Sequence, residues 1–329
     1  MEEKSRILKK LNDDQSRPVL FNESFGGSEN QFRLLLKYLS DESFKDINLI
    51  LNDTNPNLLE KDRINILWVH HFVNQKEIIN LGIKEYVDKL DYIVFNSNWN
   101  FEKFGYQFKI PESKSIVIRN AIEKIEFQEK PKDKINLIYH TTPWRGLKHL
   151  LKVFKDLNRN DVELTVCSSM TIYGKKFDDV YGEKYERIFE ECRNTKNVNY
   201  LGFVENNKII ELLKKTHIFS FPSIWPETSC ISAIESMAAG CEVVATNLGA
   251  IFETCSPFGN LISFDRNFDK MKKKFKNALL YSINNYWSYE NQKKLKLQRE
   301  TINLLYSWET RSVEWKNFFD QSRKLKNIR

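Results

Sequence analysis

The chain has 329 residues, of which 41% are hydrophobic and 13% aromatic, and it carries a formal charge of +7 from 51 Lys and Arg against 44 Asp and Glu. That length suggests two domains with real cores, and without a run of about 18 apolar residues no spanning helix is expected. Five cysteines without a C-x-x-C pair argue against a disulfide framework or a zinc site and fit a reducing cytoplasm.

From the amino end, Met1 to Arg17 is charged and lacks an apolar core, so no secretory signal is expected there. Pro18–Phe21 reads as a short strand. Gly27–Leu39 has helical periodicity, with Phe32, Leu35, Leu36 and Leu39 on one face. Strands are expected at Ile47–Leu51, Ile64–His70, Tyr92–Phe95 and Ser115–Arg119, with helices over Glu77–Leu90 and around Trp99–Phe104. This alternation predicts a parallel sheet with helices on both faces. The charged stretch Glu123–Lys134, with Pro131, breaks the pattern and reads as a linker. A second βα series follows, with strands at Ile135–Tyr139, Val162–Val166, Val198–Leu201 and Ile218–Phe221 and helices at Tyr185–Arg193 and Lys208–Lys215. After Phe221 comes a polar loop carrying Glu227, then a small-residue helix carrying Glu235 that stops at Gly240, a C-terminal cap. The strand Cys241–Thr246 follows, and from Phe268 the chain reads as mostly helical. The fold class is therefore α/β with two Rossmann-like halves, divided as 1–122, a linker at 123–134, and 135–305.

Several positions invite a chemical reading. A strand–loop–helix–strand unit puts its loop at the carboxyl end of a parallel sheet, where open α/β folds bind ligands. Glu227 and Glu235 at such a rim suit two hydroxyl-rich parts of one ligand; a solvated loop charge and a Ser232–Glu235 capping box are the plainer alternatives. Gly26 and Gly27 open a helix, where backbone amides favour phosphate. Arg145 begins a helix, a place disfavoured for a cation unless an anion answers it, and its fork suits phosphate. Thr141 and Thr142 add hydroxyls beside it. His70 and His71 end a strand, and His70 shares a face with Trp68. Two basic runs, Lys270 to Lys276 and Lys293 to Arg299, read as solvated helix faces or as a surface for anionic membrane or nucleic acid.

The run from Phe221 to Gly240 closely resembles the Glu-x7-Glu signature of retaining nucleotide-sugar glycosyltransferases of the GT-B fold, family four. Phe221-Pro222-Ser223, both glutamates, Met237-Ala238 and Gly240 match; Ser229-Cys230 stands where the family has Phe-Gly. Gly26-Gly27-Ser28-Glu29 resembles the family's G-G-x-E. Thr141 to Gly146 resembles its diphosphate motif, with Arg145-Gly146 on the Lys-Gly pair and His140 on the position of the family arginine. The resemblance implies that Glu227 lies near the donor sugar, Glu235 binds ribose hydroxyls, and Arg145, His140, Thr141, Thr142 and the amides at Gly26 and Gly27 meet the diphosphate. Thr228, Ser229 and Cys230 are counted with the donor loop, Ser168 and Phe203 with the base, and His70 with the donor sugar. Asn96-Ser97 and Asn120-Ala121 are expected to line the interdomain cleft without doing chemistry, and Tyr306–Trp315 to open the helix that returns to the first domain, so that 306–329 packs there.

The expected function is a retaining, metal-independent glycosyltransferase. It would move a sugar from a nucleotide-diphosphate sugar to a glycan or lipid-linked acceptor, in the cytoplasm or peripherally at an anionic membrane. No D-x-D pair stands in a family-like context, so no metal is expected, and no cofactor beyond the nucleotide-sugar co-substrate. Two alternatives remain at this level: a phage-type transferase acting on modified DNA bases, and a non-catalytic nucleotide-sugar binding protein, the latter because His140 replaces an arginine.

Overall fold

Short runs of isoleucine, leucine, valine and phenylalanine, buried on both faces, build two parallel sheets. The computed structural model describes residues 2–13 and 21–328; the strand expected at 18–20 lies outside the described residues, and Phe21 sits in a turn. The chain divides into two compact units, 1–121 with 306–329, and 122–305.

The first unit contains α1 (Glu2–Asp13), α2 (Gly27–Tyr38), β1 (Ile47–Leu51), β2 (Ile64–Val69), α3 (Lys84–Lys89), β3 (Tyr92–Phe95), α4 (Asn98–Phe108) and β4 (Ser115–Val117). Its strands lie in the order β1-β2-β3-β4, all parallel. Alternation along β2 sends Trp68 to one core with Phe32 and Leu35, and Leu67 and Val69 to another with Phe95 and Phe104. The single helix expected over Glu77–Leu90 is instead a 3₁₀ turn at Lys76–Gly82 and α3, with Ile83 extended between them. The cause is competition for backbone groups: the Glu77 carbonyl accepts from the Thr54 amide at 2.9 Å and its hydroxyl at 2.8 Å, and Asn80 Nδ2 donates to the Thr54 carbonyl at 2.9 Å. α4 runs longer than its apolar pattern suggested because Ser97 caps it, accepting from the Asn100 amide at 3.0 Å.

The second unit contains β5 (Ile135–Tyr139), α5 (Leu147–Leu157), β6 (Val162–Val166), α6 (Lys175–Tyr181), α7 (Glu183–Arg193), β7 (Val198–Tyr200), α8 (Asn206–Lys215), β8 (Ile218–Phe221), α9 (Ile231–Ala238), β9 (Glu242–Asn247), α10 (Ile251–Cys255), β10 (Asn260–Ser263), α11 (Phe268–Asn285) and α12 (Tyr289–Leu305). Its six strands are parallel in the order β10-β9-β8-β5-β6-β7. That is the doubly wound order, and its direction reverses between β5 and β8, which opens a crevice at their carboxyl ends. The segment 123–134 has no helix or strand and is fastened to this unit: the Ile125 amide donates to Asn303 Oδ1 at 2.8 Å, and Lys130 Nζ to the carbonyls of Leu213 at 2.7 Å and Ala239 at 2.8 Å.

The last helix, α13 (Trp308–Ile328), belongs to the first unit. Trp315 meets Trp68 with ring centres 4.7 Å apart, and Trp308 stacks on Tyr38 at 5.7 Å. Both α13 tryptophans are fully buried, which gives this helix a large apolar anchor. No helix among the described residues is long and apolar enough to cross a membrane. The first basic run is largely answered: Lys272 pairs with Asp269 at 2.7 Å, Lys274 with Asp265 at 3.5 Å, and Lys276 donates to the Asp156 carbonyl at 2.6 Å. A helix face neutralised in this way is the plainer of its two readings.

Candidate active site

The crevice of the second unit is lined by the loops after β5 and β8. After β5 the Tyr139 hydroxyl donates to the Thr142 carbonyl at 2.7 Å, and the Arg145 amide donates to the same oxygen at 3.2 Å. The chain curls into one 3₁₀ turn, Pro143–Arg145, closed by Gly146 at φ +128°. A Cβ on Gly146 would lie 2.2 Å from the Pro222 carbonyl oxygen, so glycine alone lets the two loops run side by side. The loop after β8 is then strapped to the loop after β9. The Ala250 amide donates to the Glu227 carbonyl at 2.6 Å, and Gly249, at φ +75°, approaches so closely that a Cβ would lie 2.3 Å from the Glu227 carbonyl oxygen.

These constraints place Glu227, 2% exposed, with Oε2 2.5 Å from Arg145 Nη1. Burial pushes the Glu227 carboxyl up while the Arg145 guanidinium opposes that shift. Burial works against the charge on Arg145 as well, but the carboxylate outweighs it and holds the guanidinium protonated. The pair leaves Glu227 Oε1 and Arg145 Nε buried without hydrogen-bond partners. Thr142 Oγ1 after β5 and Ser168 Oγ after β6 are also buried and unpartnered. Orphaned polar atoms are rare in a folded interior, and a group of them at the carboxyl edge of a parallel sheet marks a place for a polar ligand.

Glu235 projects from α9, 7% exposed, and burial raises its carboxyl to about 7, with a hydrogen bond to Asn206 opposing the rise. The capping-box alternative fails, because Ser232 is the second residue of α9 and its hydroxyl donates to the His140 carbonyl at 3.2 Å. No side chain caps the amino end; the Cys230 carbonyl accepts the first helical bonds, from the Ala233 and Ile234 amides at 3.1 Å, and Cys230 itself is buried. Gly240 takes φ +79° just beyond the other end, as a C-terminal cap should.

His140, which the resemblance places among the diphosphate contacts, is neutral and turned to a partner within the protein. Its Nε2 lies 3.0 Å from Ser236 Oγ, whose single proton goes to the Ser232 carbonyl at 2.7 Å, so the imidazole is the donor. Burial pulls its pKa down to about 3, and Phe219 packs edge-on at 5.0 Å. A neutral ring spent on Ser236 fastens α9 to the β5 loop and supplies no second cation near neutral pH. The Thr141 hydroxyl makes a long 3.5 Å contact to the Thr142 carbonyl and hydrogen-bonds with the Tyr139 hydroxyl. Thr228, Ser229 and Phe203 are half-buried, Phe203 following Gly202 at φ +64°.

Gly26, Gly27 and His70 belong to the first unit. Gly26 precedes α2 at ordinary backbone angles, φ −59° and ψ 159°, and its amide donates to Ser24 Oγ at 3.1 Å, so its amide is not open to phosphate here. Gly27 is the exposed first residue of α2. His70 is buried: its amide donates to Asn52 Oδ1 at 2.6 Å, and its Nε2 lies 3.0 Å from Asn120 Oδ1, which makes Nε2 the protonated nitrogen. Burial draws its pKa down to about 3, so the imidazole is neutral. Among the described residues no three His, Cys, Asp or Glu side chains gather as a metal site would require.

Sequence reasoning passed over Gly249, Ser236, Asn206 and Asn52. A glycine just after the ninth strand was visible, but a post-strand glycine is ordinarily only a turn, and the other three carry no local signal.

A two-unit parallel α/β protein, with an arginine–glutamate pair at its doubly wound switch point and a second carboxylate on the helix that follows, belongs to the GT-B class of folds. Residues 119–296, more than half of the chain, match the family described as Glycosyl transferases group 1, and the chain belongs to that family. A glycosyltransferase from Rickettsia africae shares the fold with a TM-score of 0.69 at 15% identity, covering 97% of this chain and 88% of that one. HepE of Anabaena, solved in complex with UDP-glucose, shares it with a TM-score of 0.60 at 14% identity, covering 79% and 72%. An uncharacterized 41.2 kDa protein in the cps region of Klebsiella pneumoniae is 24% identical over 231 residues, 63% of this chain and 60% of that protein. The chain thus matches about 60% of that relative's length or less in the other curated relatives, at 40% and 59%.

Proposed function

We propose that the chain is a retaining, metal-independent glycosyltransferase that moves a sugar from a nucleotide-diphosphate sugar to the hydroxyl of a glycan, free or lipid-linked. The observation that carries this reading is the buried Arg145–Glu227 pair with one open acceptor, Oε1, and one open donor, Nε. A donor diphosphate competes with Glu227 for the arginine fork, and sugar hydroxyls can donate to the carboxylate. As the bond from the anomeric carbon to the phosphate oxygen breaks, charge grows on that oxygen. Arg145 and the amides at the start of α9 stabilise it more in the transition state than in the bound donor. The acceptor hydroxyl attacks from the same face and its proton passes to the leaving phosphate, so no separate base is needed. Glu235, ionised when bound, accepts from the ribose hydroxyls. His70 contributes as a neutral imidazole, by polarity and not by charge. Metal independence rests on the sequence, where no D-x-D pair stands in a family-like context.

UDP-glucose, the ligand named with HepE, is the first donor to try, with GDP- and ADP-sugars beside it. The test is sugar transfer or slow donor hydrolysis, with the product anomer read by NMR; an inverted anomer would overturn retention. The neutral His140 favours a second reading, a nucleotide-sugar binder without turnover. Calorimetric donor binding with neither transfer nor hydrolysis would select it, and no binding of any donor would remove both.

A further inference from the structure

At the amino-terminal edge of the second unit's sheet, opposite the Arg145–Glu227 crevice, a cavity of about 280 Å³ opens between the 127–132 segment, the turn carrying Tyr286 and Trp287, and α12. Its rim carries Lys132, Lys296 and Arg299, against one carboxylate, the exposed Glu129. The Arg299 guanidinium stacks 3.8 Å from the Phe127 ring centre, and Lys132 Nζ lies 6.0 Å from that of Trp287. None of these three cations makes an ion pair or a side-chain hydrogen bond among the described residues, in contrast to Lys272 and Lys274 of the first basic run. Arg299 is half-buried, and that burial lowers its pKa. The neighbouring Glu300 opposes that shift without pairing with Arg299, and charge that is partly desolvated and held by no direct partner invites an anion. The cavity also reaches functional ground. Lys130 lines it and holds the Ala239 carbonyl at 2.8 Å, just past the end of α9, and Gly240 lies close enough that a Cβ there would be 3.9 Å from Arg299 Cδ.

The geometry points to a second ligand site for a phosphate group, in which the Arg299 fork takes two oxygens, Lys296 and Lys132 close on the rest, and Trp287 and Phe127 wall the body that carries it. The phosphate comes either from a soluble phosphate ester or from an anionic phospholipid headgroup. Occupancy would act on the end of the helix that bears Glu235.

The test uses the full chain carrying Arg145→Ala, which removes the main cation of the crevice, and pyrophosphate as the probe in calorimetry. Binding should remain, should weaken at least tenfold in Arg299→Gln/Lys296→Gln, and should weaken severalfold in Lys132→Gln, an exposed change that leaves the melting temperature alone. Co-sedimentation of the otherwise wild-type chain with phosphatidylglycerol vesicles, but not phosphatidylcholine vesicles, lost in the same variants, would identify a headgroup as the source. Pyrophosphate binding without vesicle binding would identify a soluble ligand. The proposal is overturned if neither probe binds, or if both bind the variants as well as the parent.

Discussion

Removing Arg145 should damage stability and turnover by separate routes, and a second substitution should separate them. In Arg145→Ala the Glu227 carboxylate, 2% exposed in the intact protein, loses the partner of Oε2, while Oε1 already lacks one. Stranding a buried charge costs about 3–5 kcal/mol. At ~2–4 °C per kcal/mol for a unit of this size, the melting temperature should fall by roughly 6–20 °C. Without the arginine, only the burial that raises the Glu227 carboxyl remains, so its folded pKa sits further above the unfolded value. A raised carboxyl stabilises below the unfolded value and loses that contribution as pH rises through the folded one. The variant should therefore be less impaired at pH 5 than at pH 8. Adding Glu227→Gln removes the stranded charge and should recover more than ~2 kcal/mol of the loss. Turnover should not recover: kcat should stay down by about 10²–10³ in both variants, as for loss of one preorganised donor. Denaturant unfolding and donor turnover read the two effects. Additive stability losses below ~1 kcal/mol each, or near wild-type turnover in Arg145→Ala, would refute the reasoning.

The carboxyl of Glu235, raised to about 7, predicts donor binding that tightens with pH. If the ribose needs the carboxylate, affinity for an intact UDP-sugar should rise about tenfold from pH 6 to pH 8, and Glu235→Gln should flatten the profile; equal slopes in both proteins would remove Glu235 from the site. The same raised pKa implies that the ligand-free protein loses stability between the unfolded glutamate value, ~4.3, and about 7. Gly249→Ala puts a Cβ 2.3 Å from the Glu227 carbonyl oxygen at φ +75°; it should cost ~1–3 kcal/mol and most donor affinity, whereas Gly105→Ala, with nothing within 4 Å, should leave both intact. Activity should survive EDTA, and a chelated enzyme revived only by Mn²⁺ would overturn the metal-independent reading.

Strands, most helices and the two glutamates were legible along the chain because each is written within a few residues: an apolar run, a 3.6-residue period, a glycine cap after α9. The helix over Glu77–Leu90 misled because Thr54, 23 residues earlier, takes the carbonyl that the helix needed. Arg145 could be suspected of meeting an anion from its place at a helix start. That Glu227, 82 residues on, already answers it became visible only when β5 and β8 came together at the switch point. His140 kept its place in the motif but lost its charge, because Ser236, 96 residues away, and the surrounding burial decide its protonation. Periodicity and capping depend on near neighbours and are therefore set by the sequence alone. Pairing, orphaned polar atoms and shifted pKa values depend on desolvation and on partners from distant segments, and only the tertiary structure supplies those.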